Sequence, residues 1–303
     1  MKSLARIVSP ALLCIASLAS VGCQSQRRFD SPEAAVSALS RATETRDKSE
    51  LRRIFGPRTA ELRSEDEDQD KLDFASFQRA LAEGHEIQSV SEDRAVLLLG
   101  EMRWPFAVPL VSRSDSQWLF DTDAGIEELE NRHIGRNELR TIAACRTLVD
   151  AQRLYRSVDR NGDGISEYAQ RLMSTPGAKD GLYWPSYGGV DPSPIGPVFA
   201  RAALRTDDEG QRMPFNGYRF RLLHRQGQHA QGGAMEYIVD GRMLNGWAVV
   251  AWPDQWDRTG VMSFIVSHAG VVYEADLGPE TDSAAVAMSA FDPDPAAWKA
   301  VSP

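Results

Sequence analysis

Hydrophobic positions fall into distinct regimes along the chain. The first is a mostly apolar run over 7–21, preceded by the cations Lys2 and Arg6. That layout is the charged and apolar part of a secretory signal. The run is short and serine-rich for a membrane span, which needs roughly 20 apolar residues. From Ser31 the apolar positions recur at helical spacing. Val36, Leu39 and Thr43 form one set, Leu51, Ile54 and Phe55 a second, and Phe74, Phe77 and Leu81 a third. Ser31-Pro32 suits a helix start, and Gly56-Pro57 a helix stop. Strand-like runs follow at Ala95-Val96-Leu97-Leu98-Leu99, Phe106-Ala107-Val108-Pro109-Leu110-Val111 and Gln117-Trp118-Leu119-Phe120.

The longest helical pattern covers 124–158, with Leu129, Leu139, Ile142, Cys145, Val149 and Tyr155 near a 3.6-residue period. Asp123 is placed to cap it. Gly135 interrupts it, which predicts two helices separated by a kink or break. Beyond Asn161 turn residues become dense. Strands are then expected at Tyr218-Arg219-Phe220-Arg221-Leu222-Leu223 and Trp247-Ala248-Val249-Val250-Ala251-Trp252. Two hairpins are expected, one across Asp240-Gly241 and one across Ser267-His268-Ala269-Gly270. The fold class is therefore α+β: a small helical and β-meander unit, then a long helix packed on an antiparallel sheet of about five strands. The expected boundaries are a signal at 1–22, a tether at 23–30, an N-terminal domain at 31–122 and a C-terminal domain at 123–303.

Composition changes this picture little. The net charge of −9 and the lack of a Lys/Arg stripe argue against nucleic acid as a partner. The acidic stretch Glu65-Asp66-Glu67-Asp68-Gln69-Asp70 reads as a solvated loop, and Arg27-Arg28 as part of the tether. Once a signal is removed, Cys23 and Cys145 are the cysteines left. Cys145 lies in a helical pattern and reads as a small buried hydrophobe rather than a nucleophile.

Ser20-Val21-Gly22-Cys23 resembles the lipobox of bacterial lipoproteins, with Ser20 where that family usually has Leu. The resemblance implies that Cys23 becomes the acylated amino terminus and anchors the chain to a membrane. Gln24 after the cysteine points to the outer membrane, with the protein facing the periplasm. From Arg136 onward, Glu167-Tyr168-Ala169-Gln170-Arg171, Ala251-Trp252-Pro253 and Tyr273-Glu274-Ala275-Asp276-Leu277-Gly278-Pro279 resemble the bacterial "domain of unknown function 2950" family. That resemblance implies export and no activity. The long helix, a loop and Gly217-Tyr218-Arg219-Phe220 together resemble the globular part of type IV pilins and pseudopilins. The first unit loosely resembles the cone-shaped nuclear transport factor 2 folds.

The sharpest chemical motif is Asp159-Arg160-Asn161-Gly162-Asp163-Gly164. It sets oxygen-bearing side chains at positions 1, 3 and 5 and Gly at 6, as calcium loops do. Ile165 offers a carbonyl, Glu167 stands at position 9, and Gln170 occupies position 12, where a bidentate Glu belongs. Calcium is thus a candidate cofactor in a stabilising role. The same residues equally make a polar turn ending the helix. Aromatic residues cluster at Tyr183, Trp184 and Tyr187, and at Trp247, Trp252 and Trp256. Tyr183, Trp184, Trp252 and Trp256 could form a face for a glycan or peptide, against the simpler reading of core packing. His224, His229 and His268 read as surface histidines. The functional expectation is a non-catalytic envelope module binding an envelope protein or glycan. The alternative is a periplasmic hydrolase acting on cell-wall or other glycans through carboxylates among Glu236, Glu274 and Asp276.

Overall fold

The computed structural model describes residues 25–63, 67–113, 116–186, 192–196 and 214–302. The signal at 1–22, Cys23 and Tyr187 lie outside the described residues. The chain divides into two compact units, one ending at Ile126 and the other beginning at Glu127. Both combine helices with antiparallel sheet, so the class is α+β.

In the first unit, helix α1 (Pro32–Glu44) starts where Ser31 Oγ accepts from the Ala34 amide at 3.2 Å. Helix α2 (Lys48–Phe55) starts at Asp47, whose carboxylate accepts from Ser49 and Glu50 amides, and stops at Gly56 with φ +80°. Helix α3 spans Glu67–Glu83. Part of the acidic stretch read as loop, 67–70, is thus the first turn of a helix. Glu65 and Asp66 lie outside the described residues. Strands β1 (His85–Ser91), β2 (Arg94–Leu99), β3 (Trp104–Pro105), β4 (Leu110–Ser112) and β5 (Trp118–Phe120) form a sheet in the order β1-β2-β4-β5, with β3 paired to β2. Leu39, Ile54, Leu97, Leu110 and Phe120 are fully buried between helices and sheet.

The tether expected at 23–30 is shorter than its sequence suggests. The Gln26 amide donates to the carbonyls of Ile54 at 3.0 Å and Phe120 at 2.6 Å. The Arg27 amide donates to Arg53 O at 2.8 Å, and Phe29 exchanges backbone bonds with Trp118. Phe29 is 5% exposed. Burying such a ring contributes about 1.5–3 kcal/mol, enough to draw a polar segment onto the fold.

Helix α4 (Thr122–Arg156), most of which belongs to the second unit, runs 35 residues without interruption. The break expected at Gly135 does not occur. One glycine costs a helix about 1 kcal/mol relative to Ala, and the packing of α4 beyond that position outweighs it. Cys145, Leu148, Val149 and Tyr155 join Val249, Phe264 and Val266 in one core. After α4 come a small parallel pair, β6 (Arg171–Met173) and β7 (Gly181–Tyr183), then β8 (Tyr218–Leu223). Two short pairs follow. The first is β9 (Arg225–Gln226) with β10 (Met235–Glu236), and the second is β11 (Ile238–Val239) with β12 (Arg242–Met243). Asp240 and Gly241 between β11 and β12 both have positive φ, 49° and 77°, as a two-residue hairpin turn requires.

The main sheet adds β13 (Ala248–Pro253), β14 (Met262–Ser267), β15 (Val272–Asp276) and β16 (Lys299–Ala300), in the order β16-β15-β14-β13-β8, all antiparallel. The Asp240-Gly241 hairpin stands outside this sheet, and its fifth strand is the terminal β16. Strand β13 is buried at all six positions. Both its faces are covered, which explains its uninterrupted apolar run. Helix α5 (Thr281–Ala287) lies against β13. There Trp252 Nε1 donates to Asp282 at 2.9 Å, and Arg221 Nη2 donates to Ala285 O and Met288 O.

Candidate functional site

The loop that follows α4 brings the five residues proposed as cation ligands into one hydrogen-bonded turn. Asp159 accepts from the amides of Gly162 at 2.8 Å and Gly164 at 2.7 Å. Gly162 and Gly164 take φ of +74° and +83°, which non-glycine residues seldom adopt. Asp163 Oδ1 accepts from Ile165 N at 2.9 Å. Its Oδ2 accepts from Asn161 Nδ2 at 2.7 Å and faces Arg242 Nη2 at 2.8 Å. Asn161 Nδ2 also lies 3.4 Å from Glu167 Oε1, and Asn161 Oδ1 accepts from Asp163 N. Ile165 contributes its amide to this turn.

Electrostatics follow from that crowding. The amides of Gly164 and Gly162 hold the Asp159 carboxyl below its usual range. Burial, then the nearby charges of Asp163 and Asp159, push the Glu167 carboxyl up, and Arg242 opposes them. The charge of the turn is thus met by a guanidinium from β12. Among the described residues no group of three or more His, Cys, Asp or Glu side chains is placed to share a metal ion. A calcium ion here would require Asn161 to turn its amide and Arg242 to withdraw.

The aromatic residues do not form one face. Trp184 and Trp252 are 6% and 5% exposed and belong to the core. Arg160 lies over the rings of Tyr155 and Trp184 at 5.0 and 4.9 Å, so the loop packs on α4 through cation–π contacts. Tyr183 and Trp256 are half-buried. Large rings in a sheet-rich unit are first drawn inward by their area, and that outcome prevails for Trp184 and Trp252.

The carboxylates of the hydrolase alternative are placed unevenly. Glu236 is exposed, 3.9 Å from Arg225. Glu274 and Asp276 are two residues apart on β15 and so share a face of the sheet, at about 7 Å along the strand. Asp276 accepts from Trp256 Nε1 at 2.9 Å and Gly278 N at 2.8 Å. Glu274 stands opposite Lys299 in the β15–β16 register. Cys145 is fully buried, and burial pushes its thiol up to about 12, which suits packing and not nucleophilic attack.

Several polar residues carry more of the fold than sequence reasoning assigned them. Gln152 is fully buried and exchanges two hydrogen bonds of 2.9 Å with the backbone of Ala169. Glu138 accepts from the Val261 and Met262 amides. Gln226 donates to the carbonyls of Gln231 and Gly233 and accepts from Tyr237 OH, closing the glycine-rich loop between β9 and β10. His229 Nδ1 faces Asp292 at 3.1 Å. His268, read as a surface residue, has a buried Nδ1 that finds no partner among the described residues, and an edge-to-face contact with Tyr237. A polar residue inside an apolar run is the sequence signal for such roles, and Gln152 between Val149 and Tyr155 is the clearest instance.

A family model described as "Protein of unknown function (DUF2950)" matches residues 26–301. The chain belongs to this family. The DUF2950 match begins at Gln26, where the described fold is first pinned, and ends at Val301, whose amide donates to Val272 O at 2.9 Å. It therefore takes in both units. No curated protein and no solved structure matches the chain, so the pilin likeness has no solved relative behind it.

Proposed function

We propose that this DUF2950 protein is an exported envelope lipoprotein, held to a membrane through Cys23 and acting as a non-catalytic module that binds or holds a partner there. The lipobox-like Ser20-Val21-Gly22-Cys23 supports the address. Among the described residues no helix is long and apolar enough to cross a membrane, so an acyl anchor at Cys23 supplies the attachment in this reading. The observation that carries the non-catalytic part is the engagement of the candidate groups. Asp276 is held by Trp256 and its own turn, Asp159 and Asp163 cap a loop, and Trp184 and Trp252 are in the core. The partner in this reading is an envelope protein or glycan. Cys23→Ser should move the protein out of the membrane fraction or leave its precursor unprocessed. A wild-type chain recovered wholly in the soluble periplasm, or retaining Met1, would overturn the proposal.

The shared face of Glu274 and Asp276, with Trp256 beside them, favours a second reading as a glycan hydrolase. It requires that purified protein release soluble fragments from cell-wall glycan and that Glu274→Gln and Asp276→Asn abolish the release. Equal release by the variants would dismiss it.

A further inference from the structure

The first unit carries a basic face close to the point where the chain would meet a membrane. Arg27, Arg28 and Arg53, with Ser25, Gln26 and Glu50, line a surface cavity of about 470 Å³. Arg52 is exposed beside them in the last turn of α2. The side chains of Arg27 and Arg53 are 45% and 52% exposed, and Glu50, at 15%, ion-pairs with both. Three arginines thus line the cavity with one carboxylate, two of them paired to it, and Arg52 adds a fourth exposed guanidinium next to Arg53 in the chain. The enrichment is regional: 25–58 holds eight Lys or Arg against five Asp or Glu, in a chain of net charge −9.

Chain geometry fixes where this face can be. An extended residue spans at most about 3.6 Å, so the backbone of Arg27 lies within roughly 14 Å of Cys23. Arg27 is itself bonded to Arg53 O, and Gln26 to Ile54 and Phe120. Three residues separate the lipobox cysteine from Arg27, which bounds how far this face can be carried from the bilayer. Within a reach of roughly 14 Å, a screening length of about 10 Å weakens the arginines' attraction to an anionic surface without abolishing it.

We propose that Arg27, Arg28, Arg52 and Arg53 form a docking face for the phosphate headgroups of anionic phospholipids in the membrane that holds the anchor. The proposal rests on acylation of Cys23. The cavity between the arginines suits a phosphate with its glycerol, and Glu50 orders Arg27 and Arg53 toward it. Guanidinium forks match phosphate oxygens bidentately, which a lysine cannot do.

The test uses the full-length acylated protein from its producing cells. It is reconstituted on vesicles of phosphatidylcholine alone, or with about one-third phosphatidylglycerol at constant ionic strength. Amide hydrogen exchange is read over 25–56. Exchange there should slow several-fold on the anionic vesicles and revert in roughly 0.5 M NaCl, where screening shortens to a few ångström. In R27Q/R28Q/R53Q the charge dependence should vanish while the protein stays vesicle-bound. Should that variant exchange faster throughout α1 in solution, R28Q/R52Q, which keeps both Glu50 ion pairs, replaces it with the same expectation. Binding to both vesicle types with identical exchange overturns the docking face and leaves the anchor standing. Failure to partition into either vesicle overturns both.

Discussion

At the scale of single residues, two side chains tie stability to solution conditions. Burial holds the His268 imidazole below its usual pKa, the Arg156 charge lowers it further, and the Trp247 backbone opposes them. Its folded pKa is therefore below the unfolded value near 6.5. Between those two values the unfolded chain binds the extra proton, so stability falls as pH drops below about 6.5. His268→Phe keeps a ring against Tyr237 and removes the proton site. Its urea midpoint should fall less than that of the wild type between pH 7.5 and 5, and parallel declines would refute the assignment. Arg242 is the second case. Arg242→Gln leaves Asp163 and Glu167 without their counter-charge and should cost about 1 kcal/mol, since both partners of the pair are partly exposed. In that variant alone, millimolar calcium should raise the melting temperature, because the acceptors freed by the guanidinium suit a hard cation. A calcium-induced rise in the wild type equal to that in the variant would show that Arg242 does not fill the place of the ion.

At the scale of elements, α4 offers the cleanest measurement. A Cβ built on Gly135 meets nothing within 4 Å, so Gly135→Ala should stabilise the protein by about 0.5–1 kcal/mol, read as a higher denaturation midpoint. A loss of stability would mean that the helix needs flexibility there. The same residue marks a limit of sequence reading: a glycine in a periodic pattern looks like a break, yet a core beyond it sustains the helix. Elements with a strong pattern were legible. Tyr218–Leu223 forms a strand with the bounds expected of it, and the Asp240-Gly241 turn forms the expected hairpin. Strand β1 was not legible, because Ile87 and Val90 are its only large apolar residues and its burial is slight. Helix α5 has neither a strong stripe nor a side-chain cap. The candidate loop was legible as a turn, because local spacing sets its glycines and acids. Its partner Arg242 lies 79 residues beyond Asp163, and only the tertiary fold brings them together.

At the scale of the whole molecule, the DUF2950 match and the α+β class were both visible in residue patterns. The core membership of Trp184 and Trp252 agrees with the simpler core-packing reading of their cluster, although nothing local distinguishes a buried tryptophan from a ligand-stacking one. The placement of β16 at the edge of the main sheet was hidden, because two residues carry no period. Its attachment is nevertheless substantial. Beyond the β15–β16 pairing, Val301 N donates to Val272 O, Trp298 is 8% exposed, and Arg146 of α4 donates to Ser302 O at 3.1 Å. Deleting 298–302 should lower the second unit's melting temperature by several degrees, the effect of losing about 2–3 kcal/mol with a buried tryptophan. An unchanged transition would show that the clasp contributes nothing. This clasp also imposes a schedule. A polypeptide delivered from its amino end, whether by ribosome or translocon, leaves the flank of β15 bare until Lys299 and Ala300 emerge. The second unit therefore reaches its finished state only after β16 has emerged, and chaperones acting on the nascent chain before then would meet an unsealed sheet.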